Sequence, residues 1–237
     1  LDLRMAGYWG LSHDAVRIAN SASPDEPLPD DLLPAASGIG ECGPNWAIHL
    51  GEAIGASDNG YDLACAAYHR RPQPGSDVLI VRRASAPAGT PPDTPRLRIV
   101  ANGAQGQLVI APCSDARNSA CSRPPPLPSI QGATVHDVIV NAYYVSRDAT
   151  GRDGLPSLRR KRLVGHASGA TIQDEEVIAG VEDLQVQLGT GDADGRGPVL
   201  FADPGDALLG DPLRPVVAVR LWLLVRADSP EPGFVDG

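Results

Sequence analysis

The stretch Thr134–Ser146 constrains the fold more than any other part of the chain. Val135, Ile139, Tyr143 and Val145 fall on one face of an extended segment, and Val138, Val140 and Tyr144 on the other. Neighbouring residues of a strand point to opposite faces, so a strand that is apolar on both has to be covered on both. A central strand with material packed above and below it is the expectation here.

Other extended segments can be arranged around it. Residues 77–82 are rich in branched side chains and follow Pro74-Gly75, a turn signal before a strand. Residues 96–100 and 107–110 read as a hairpin across Asn102-Gly103, a pair that favours tight turns. After a turn at residues 151–156, residues 158–164 form a polar returning strand. Residues 177–188 carry Val181, Leu184, Val186 and Leu188, with Gln185 and Gln187 opposite, which is the half-buried pattern. Residues 216–227 place Val217, Val219, Leu221, Leu223 and Val225 on one side. The Asp/Gly-rich interval between these last two holds no crossover helix, so they are expected to pair antiparallel.

The first half is less regular. Leu3, Ala6, Gly7, Gly10, Leu11 and Asp14 recur at spacings of three and four with no proline before Pro24, which predicts a helix beginning residues 1–20. Ala6, Gly7 and Gly10 leave a flat strip on which another element can lie. Each glycine weakens such a helix by about 0.8–1 kcal/mol relative to alanine, so it needs support from elsewhere. Pro24, Pro27, Pro29 and Pro34 break up residues 21–71; residues 30–33 can make one helical turn and residues 45–50 a short extended piece. The proline run at residues 123–128 reads as a rigid surface crossing. With Gly 26 and Pro 23 among 237 residues, long irregular connections are expected, concentrated before about residue 133.

Cys42, Cys65, Cys113 and Cys121 form no CxxC pair and have no histidine at zinc-site spacing. They sit in Gly/Pro/Asn/Ser-rich segments, where a crosslink restricts a loop, so an oxidising compartment is the reading. Three pairings are open to four cysteines. Cys42 with Cys65 and Cys113 with Cys121 would each close a local loop, and unpaired thiols are the alternative.

The formal charge of −9 disfavours nucleic acid and anionic lipid headgroups as partners. No run of about eighteen apolar residues is present, nor a signal-peptide pattern. His13, His49, His69, His136 and His166 are dispersed, and no nucleophile elbow, zincin motif or phosphate loop occurs. His136-Asp137 reads as a strand-start pair with local hydrogen bonds. Asp192 and Asp194, before Gly195, are candidate calcium ligands that Asp203 and Asp206 could supplement; a solvated turn is the alternative. Arg159, Arg160, Lys161 and Arg162 make the one dense basic run. On a strand they divide between faces, either as a solvated edge that resists unwanted pairing or as a docking patch for an acidic partner.

Residues 135–145, 158–161, 176–189 and 217–226, with Arg4-Met5-Ala6-Gly7-Tyr8 and residues 76–80 upstream, resemble the PilW family of type IV pilus minor pilins. The resemblance touches most of the chain and is carried by the Gly180-Val181-Glu182-Asp183 segment together with the Val219-Arg220-Leu221 strand. It implies a prepilin leader and a hydrophobic helix that anchors the intact protein in the inner membrane, with a periplasmic head that later joins a cell-surface pilus. Residues 1–20 would be the distal part of that assembly helix and residues 21–237 a β-rich head. Implied partners are other minor pilins, the major pilin and a tip adhesin, in a complex that primes the filament. Ala6, Gly7, Tyr8, Gly10 and Arg159 to Arg162 are the candidate contacts.

The fold class expected is therefore α+β: an N-terminal pilin-type helix on a predominantly antiparallel β region of one or two sheets, with long disulfide-tied loops. A minor pseudopilin of a type II secretion system shares this build. A secreted carbohydrate-binding or hydrolytic β domain would call for an aromatic platform or a close carboxylate pair, whereas Trp9, Trp46 and Trp222 are scattered. The reading is a structural protein without enzymatic activity or cofactor.

Overall fold

A computed structural model of the chain describes residues 2–10, 15–88, 94–111, 128–166, 170–192, 197–211, 213–227 and 233. In chain order the elements are α1 (Asp2–Met5), β1 (Ile18–Ala19), α2 (Ala36–Gly40), β2 (Ile54–Ser57), β3 (Val78–Pro87), β4 (Arg96–Ala101) and β5 (Gly106–Ala111). There follow β6 (Thr134–Ser146), β7 (Ser157–Val164), β8 (Thr171–Ala179), β9 (Val181–Thr190), β10 (Leu200–Ala202) and β11 (Val216–Val225).

The length of β6 lets three neighbours share it. Strand β3 pairs with it over most of its length, while β4 takes Thr134 to Asp137 and β7 takes Asn141 to Ser146, all antiparallel. Strands β5, β2 and β8 extend this eight-stranded sheet, and β1 adds to β5 as a short parallel pair. A second sheet, in the order β10, β9, β11, is wholly antiparallel. The architecture is thus α+β with two sheets. The hairpin across Asn102-Gly103 is present, with the Asn102 side-chain oxygen accepting from the backbone N–H groups of Ala104 and Gln105.

One face of β6 is covered along most of its length and the other towards its end, near Tyr143 and Val145. On one, Val138, Val140, Ala142 and Tyr144 join a core with Trp9, Leu32, Ile39, Trp46, Ile48 and Leu50, which the irregular first half supplies. On the other, Val145 and partly buried Tyr143 meet Leu79, Val81 and the inner side chains of β9. Full burial of each large apolar side chain contributes about 1.5–3 kcal/mol. The small sheet is held to the large one by backbone-like bonds from two side chains. Asp77 accepts from Asn59 N and Val186 N at 2.7 Å each, and Ser76 Oγ accepts from Leu184 N at 3.0 Å.

Three sequence expectations are corrected. The helix at the start of the chain covers Asp2–Met5 and goes no further. Gly7 and Gly10 sit at φ +72° and +101°, a left-handed region closed to most other residues, and between them the chain bonds to β3, through Gly7 N to Arg82 O and Ala84 N to Tyr8 O. Tertiary pairing overrides a weak helical preference there; Leu11 and Asp14 lie outside the described residues. Residues 45–50 are not extended: Ile48 and His49 both donate to Asn45 O in tight turns that bury Trp46, Ala47, Ile48 and Leu50. Residues 177–188 are not one strand, because the chain turns at Gly180 between β8 and β9.

Candidate partner-binding surface

The basic run lies on β7, which is paired on both sides and is no sheet edge. Its expected role as a solvated edge is therefore overturned. Register explains what the charges do instead. Arg159, Arg160 and Lys161 stand opposite Glu176, Glu175 and Asp174 of β8, so a basic and an acidic triplet meet rung by rung. Opposite charges at facing positions stabilise a strand pair.

Alternation then splits the run. Arg159 and Lys161 point into the core side, their side chains only 3% and 7% exposed. Asp174 binds both, at 2.7 Å from Arg159 Nε and 2.6 Å from Lys161 Nζ, and also accepts from Tyr144 Oη at 2.6 Å. The Tyr144 hydroxyl in turn accepts from Tyr68 N, and the Arg159 guanidinium lies 3.6 Å over the Tyr68 ring. Burial, with Asp174 adding to it, pushes the Tyr144 hydroxyl far above its ordinary pKa. Arg159 and Lys161 are consequently internal groups with intramolecular partners, not docking residues.

Arg160 and Arg162 face the other way and share one carboxylate, Glu175. Arg96 and Arg98 share Asp137 in the same fashion. Arg83, Arg96, Arg160 and Arg162 line a polar cleft of about 270 Å³ on the outer face of the large sheet. The lining of that cleft thus carries four guanidinium groups and two carboxylates, Asp2 and Asp137, on a chain that is acidic as a whole. His136 takes no part: fully buried, its Nδ1 donates to Ser85 O and its Nε2 meets the Thr134 hydroxyl, and of the bonds expected to be local for His136-Asp137 only the one to Thr134 is, since Ser85, Arg96 and Arg98 come from other strands.

Helix α1 is fastened by a residue that sequence reasoning missed. The Asp2 carboxylate accepts from Arg83 Nε and Nη2 through Oδ1, and from Asn141 Nδ2 and Tyr143 Oη through Oδ2, all within 2.9 Å. Burial opposes ionisation of Asp2, but these hydrogen bonds and the Arg83 charge outweigh it and hold the carboxyl below its ordinary value. A carboxyl lowered in the fold adds stability above its unfolded pKa and loses it as pH falls through the folded one. Asp2→Asn is therefore expected to cost about 1–2 kcal/mol at pH 6, with the gap from wild type closing in urea melts below about pH 3. A gap that is constant from pH 6 to pH 2.5 would count against this assignment.

Of the other candidate contacts, Gly7 packs 3.2 Å, at the position of a Cβ, from Ala53, and Gly10 lies against the His136 ring. Tyr8 makes an edge contact with that ring. The strip is thus turned inward at Gly10 and is half-buried at Ala6, Gly7 and Tyr8. Cys42 and Cys65 form a disulfide; Cys113 and Cys121 lie outside the described residues. Asp192 is exposed with Arg214 at 3.7 Å, and Asp194 lies outside the described residues. No helix among the described residues is long and apolar enough to cross a membrane.

Strand β11 exposes a row of large apolar side chains. Its outer edge has no strand partner among the described residues, and Val217, Trp222, Leu223, Leu224 and Val225 are each about half exposed. Leu221 and Leu223 also line an apolar cleft of about 430 Å³ that reaches Leu3 of α1. The alternation along residues 216–227 gave the strand but no means of telling that neither face would be well covered.

Residues 142–236 match the model of the PilW family, described as Type IV Pilus-assembly protein W. No curated protein and no solved structure matches the chain.

Proposed function

We propose, from the premise that this chain belongs to the PilW family over residues 142–236, that it is a minor pilin that helps prime type IV pilus assembly within a tip-located complex. Membership fits a structural role in pilus assembly, and the finer placement is our reading. The observation that carries it is β11: inside the matched region, an edge strand whose outer side has no strand partner among the described residues, with apolar side chains exposed. Exposed apolar area of this kind marks protein–protein contact, and a neighbouring pilin subunit is the partner that the family supplies. The cleft of Arg83, Arg96, Arg160 and Arg162 would orient an acidic segment of that neighbour, giving specificity more than affinity. In this reading the head faces the periplasm before assembly and the cell surface afterwards, and the family resemblance implies an anchoring helix in the inner membrane.

The test is deletion of the gene with surface pili counted, followed by complementation with wild type, Leu224→Glu and Arg162→Glu. Both side chains are exposed, so circular dichroism of the purified chains should be unchanged. We expect loss of most pili on deletion, rescue by wild type and reduced rescue by Leu224→Glu. Full piliation in the deletion strain would sink the priming role.

A further inference from the structure

The turn Tyr68–Arg70 and the loop after β6 bring three potential ligands together. His69 Nδ1 faces Asp148 Oδ2 at 3.7 Å and Asp153 Oδ1 at 3.9 Å, and the three ligand atoms lie within 4.8 Å of one another. Both separations from the nitrogen are too long for a hydrogen bond. They are close to the spacing of two ligands across a zinc ion, which is about 3.3–3.6 Å for bonds of roughly 2.0–2.2 Å at tetrahedral angles.

Two of the three are held in place by the surrounding structure. The His69 ring stacks on Tyr68 at 4.0 Å, and the Arg159 guanidinium lies 3.6 Å from the Tyr68 ring centroid. Asp148 is fully buried. Its Oδ1 accepts from Gly154 N at 2.8 Å and from Arg71 Nη1 at 2.9 Å, and its Oδ2 takes a second contact from Arg71 at 3.0 Å. A carboxylate offers about four lone-pair sites, so one is left on Oδ2, the oxygen 3.7 Å from His69 Nδ1. Asp153 is exposed and can close on an ion from solvent. Outer contacts that fix ligand orientation are what a metal site requires beyond its ligands.

We infer that His69, Asp148 and Asp153 bind a divalent cation of the zinc type, with water completing a four-coordinate shell. One imidazole and two carboxylates suit such an ion better than calcium, which takes six to eight oxygens. The two aspartates offset the ion's charge, and the Arg71 guanidinium on Asp148 limits the affinity. The ion would tie the residue 68–71 turn to the residue 148–154 loop and so act as a structural staple. This goes beyond the assembly role and does not depend on it.

The experiment uses the purified disulfide-bonded chain, titrated with zinc chloride at pH 7.5 by calorimetry and followed by thermal melting. His69→Gln and Asp153→Asn serve as variants because both side chains are exposed and neither should disturb the fold. The expected result is one zinc per chain and a rise of several degrees in Tm. Binding should weaken at least about tenfold in each variant, and equal concentrations of calcium should give no such shift. Absence of a Tm rise in wild type would overturn the assignment, as would zinc binding in both variants as tight as in wild type.

Discussion

Replacing Asp174 with alanine is expected to destabilise the fold by about 3 kcal/mol or more, because it strips the counter-charge from two internal cations at once. Arg159 and Lys161 are almost fully buried and both lean on this carboxylate, as does the Tyr144 hydroxyl. Glu176 stands 3.5 Å from Arg159, and Lys161 keeps a bond to Ala66 O, so compensation is partial. Asp174→Asn, which can still accept from Tyr144, should fall between alanine and wild type. Arg162→Ala removes an outward-facing member of the same basic run and should cost less than about 0.5 kcal/mol. Urea denaturation of the four proteins checks this ordering. Similar midpoints for Asp174→Ala and Arg162→Ala would show that the inner rungs of the ladder do not carry the stability assigned to them.

The second large effect should come from the disulfide. Cys42 and Cys65 are separated by 23 residues, and a loop of that size closed in the unfolded chain contributes about 3 kcal/mol on a chain-entropy estimate. The segment it closes is the turn-rich layer that covers β6, with Trp46, Ile48 and Leu50 buried inside it. Without the crosslink that layer has few regular hydrogen bonds to restrain it. The double variant Cys42→Ala/Cys65→Ala should therefore unfold at a clearly lower urea concentration than the oxidised wild type. An unchanged midpoint would mean that apolar contacts alone fix the layer.

What the sequence made legible follows from periodicity. The double-faced pattern of residues 134–146, the Asn-Gly hairpin and the half-buried β9 all carry signals that depend only on neighbouring residues. Residues 1–20 misled for the same reason: spacings of three and four are local, whereas the bonds of Gly7 and Tyr8 to β3 join positions more than seventy residues apart. The basic run was visible as charge, yet its acidic complement at residues 174–176 gained meaning only once β7 and β8 were known to be adjacent. Asp2 gave no signal at all, since a lone carboxylate near the start of a chain becomes a latch only when Arg83, Asn141 and Tyr143 converge on it. Burial of Arg159 and exposure of β11 are likewise properties of layers, which alternation along one strand cannot report.

The sharing of β6 between its neighbours also dictates the order in which the chain can become structured. A polypeptide emerges from synthesis N-terminus first, but the early segments find their partners late: Ile18 pairs with Gly106, Val81 with Asn141, and Tyr68 bonds to the Tyr144 hydroxyl. Residues up to about 144 must therefore be available before the segments around Ile18, Tyr68 and Val81 can settle. Until then the link between Cys42 and Cys65 is a constraint that these earlier segments can set by themselves, which makes the pair an early organiser of a fold whose spine arrives afterwards.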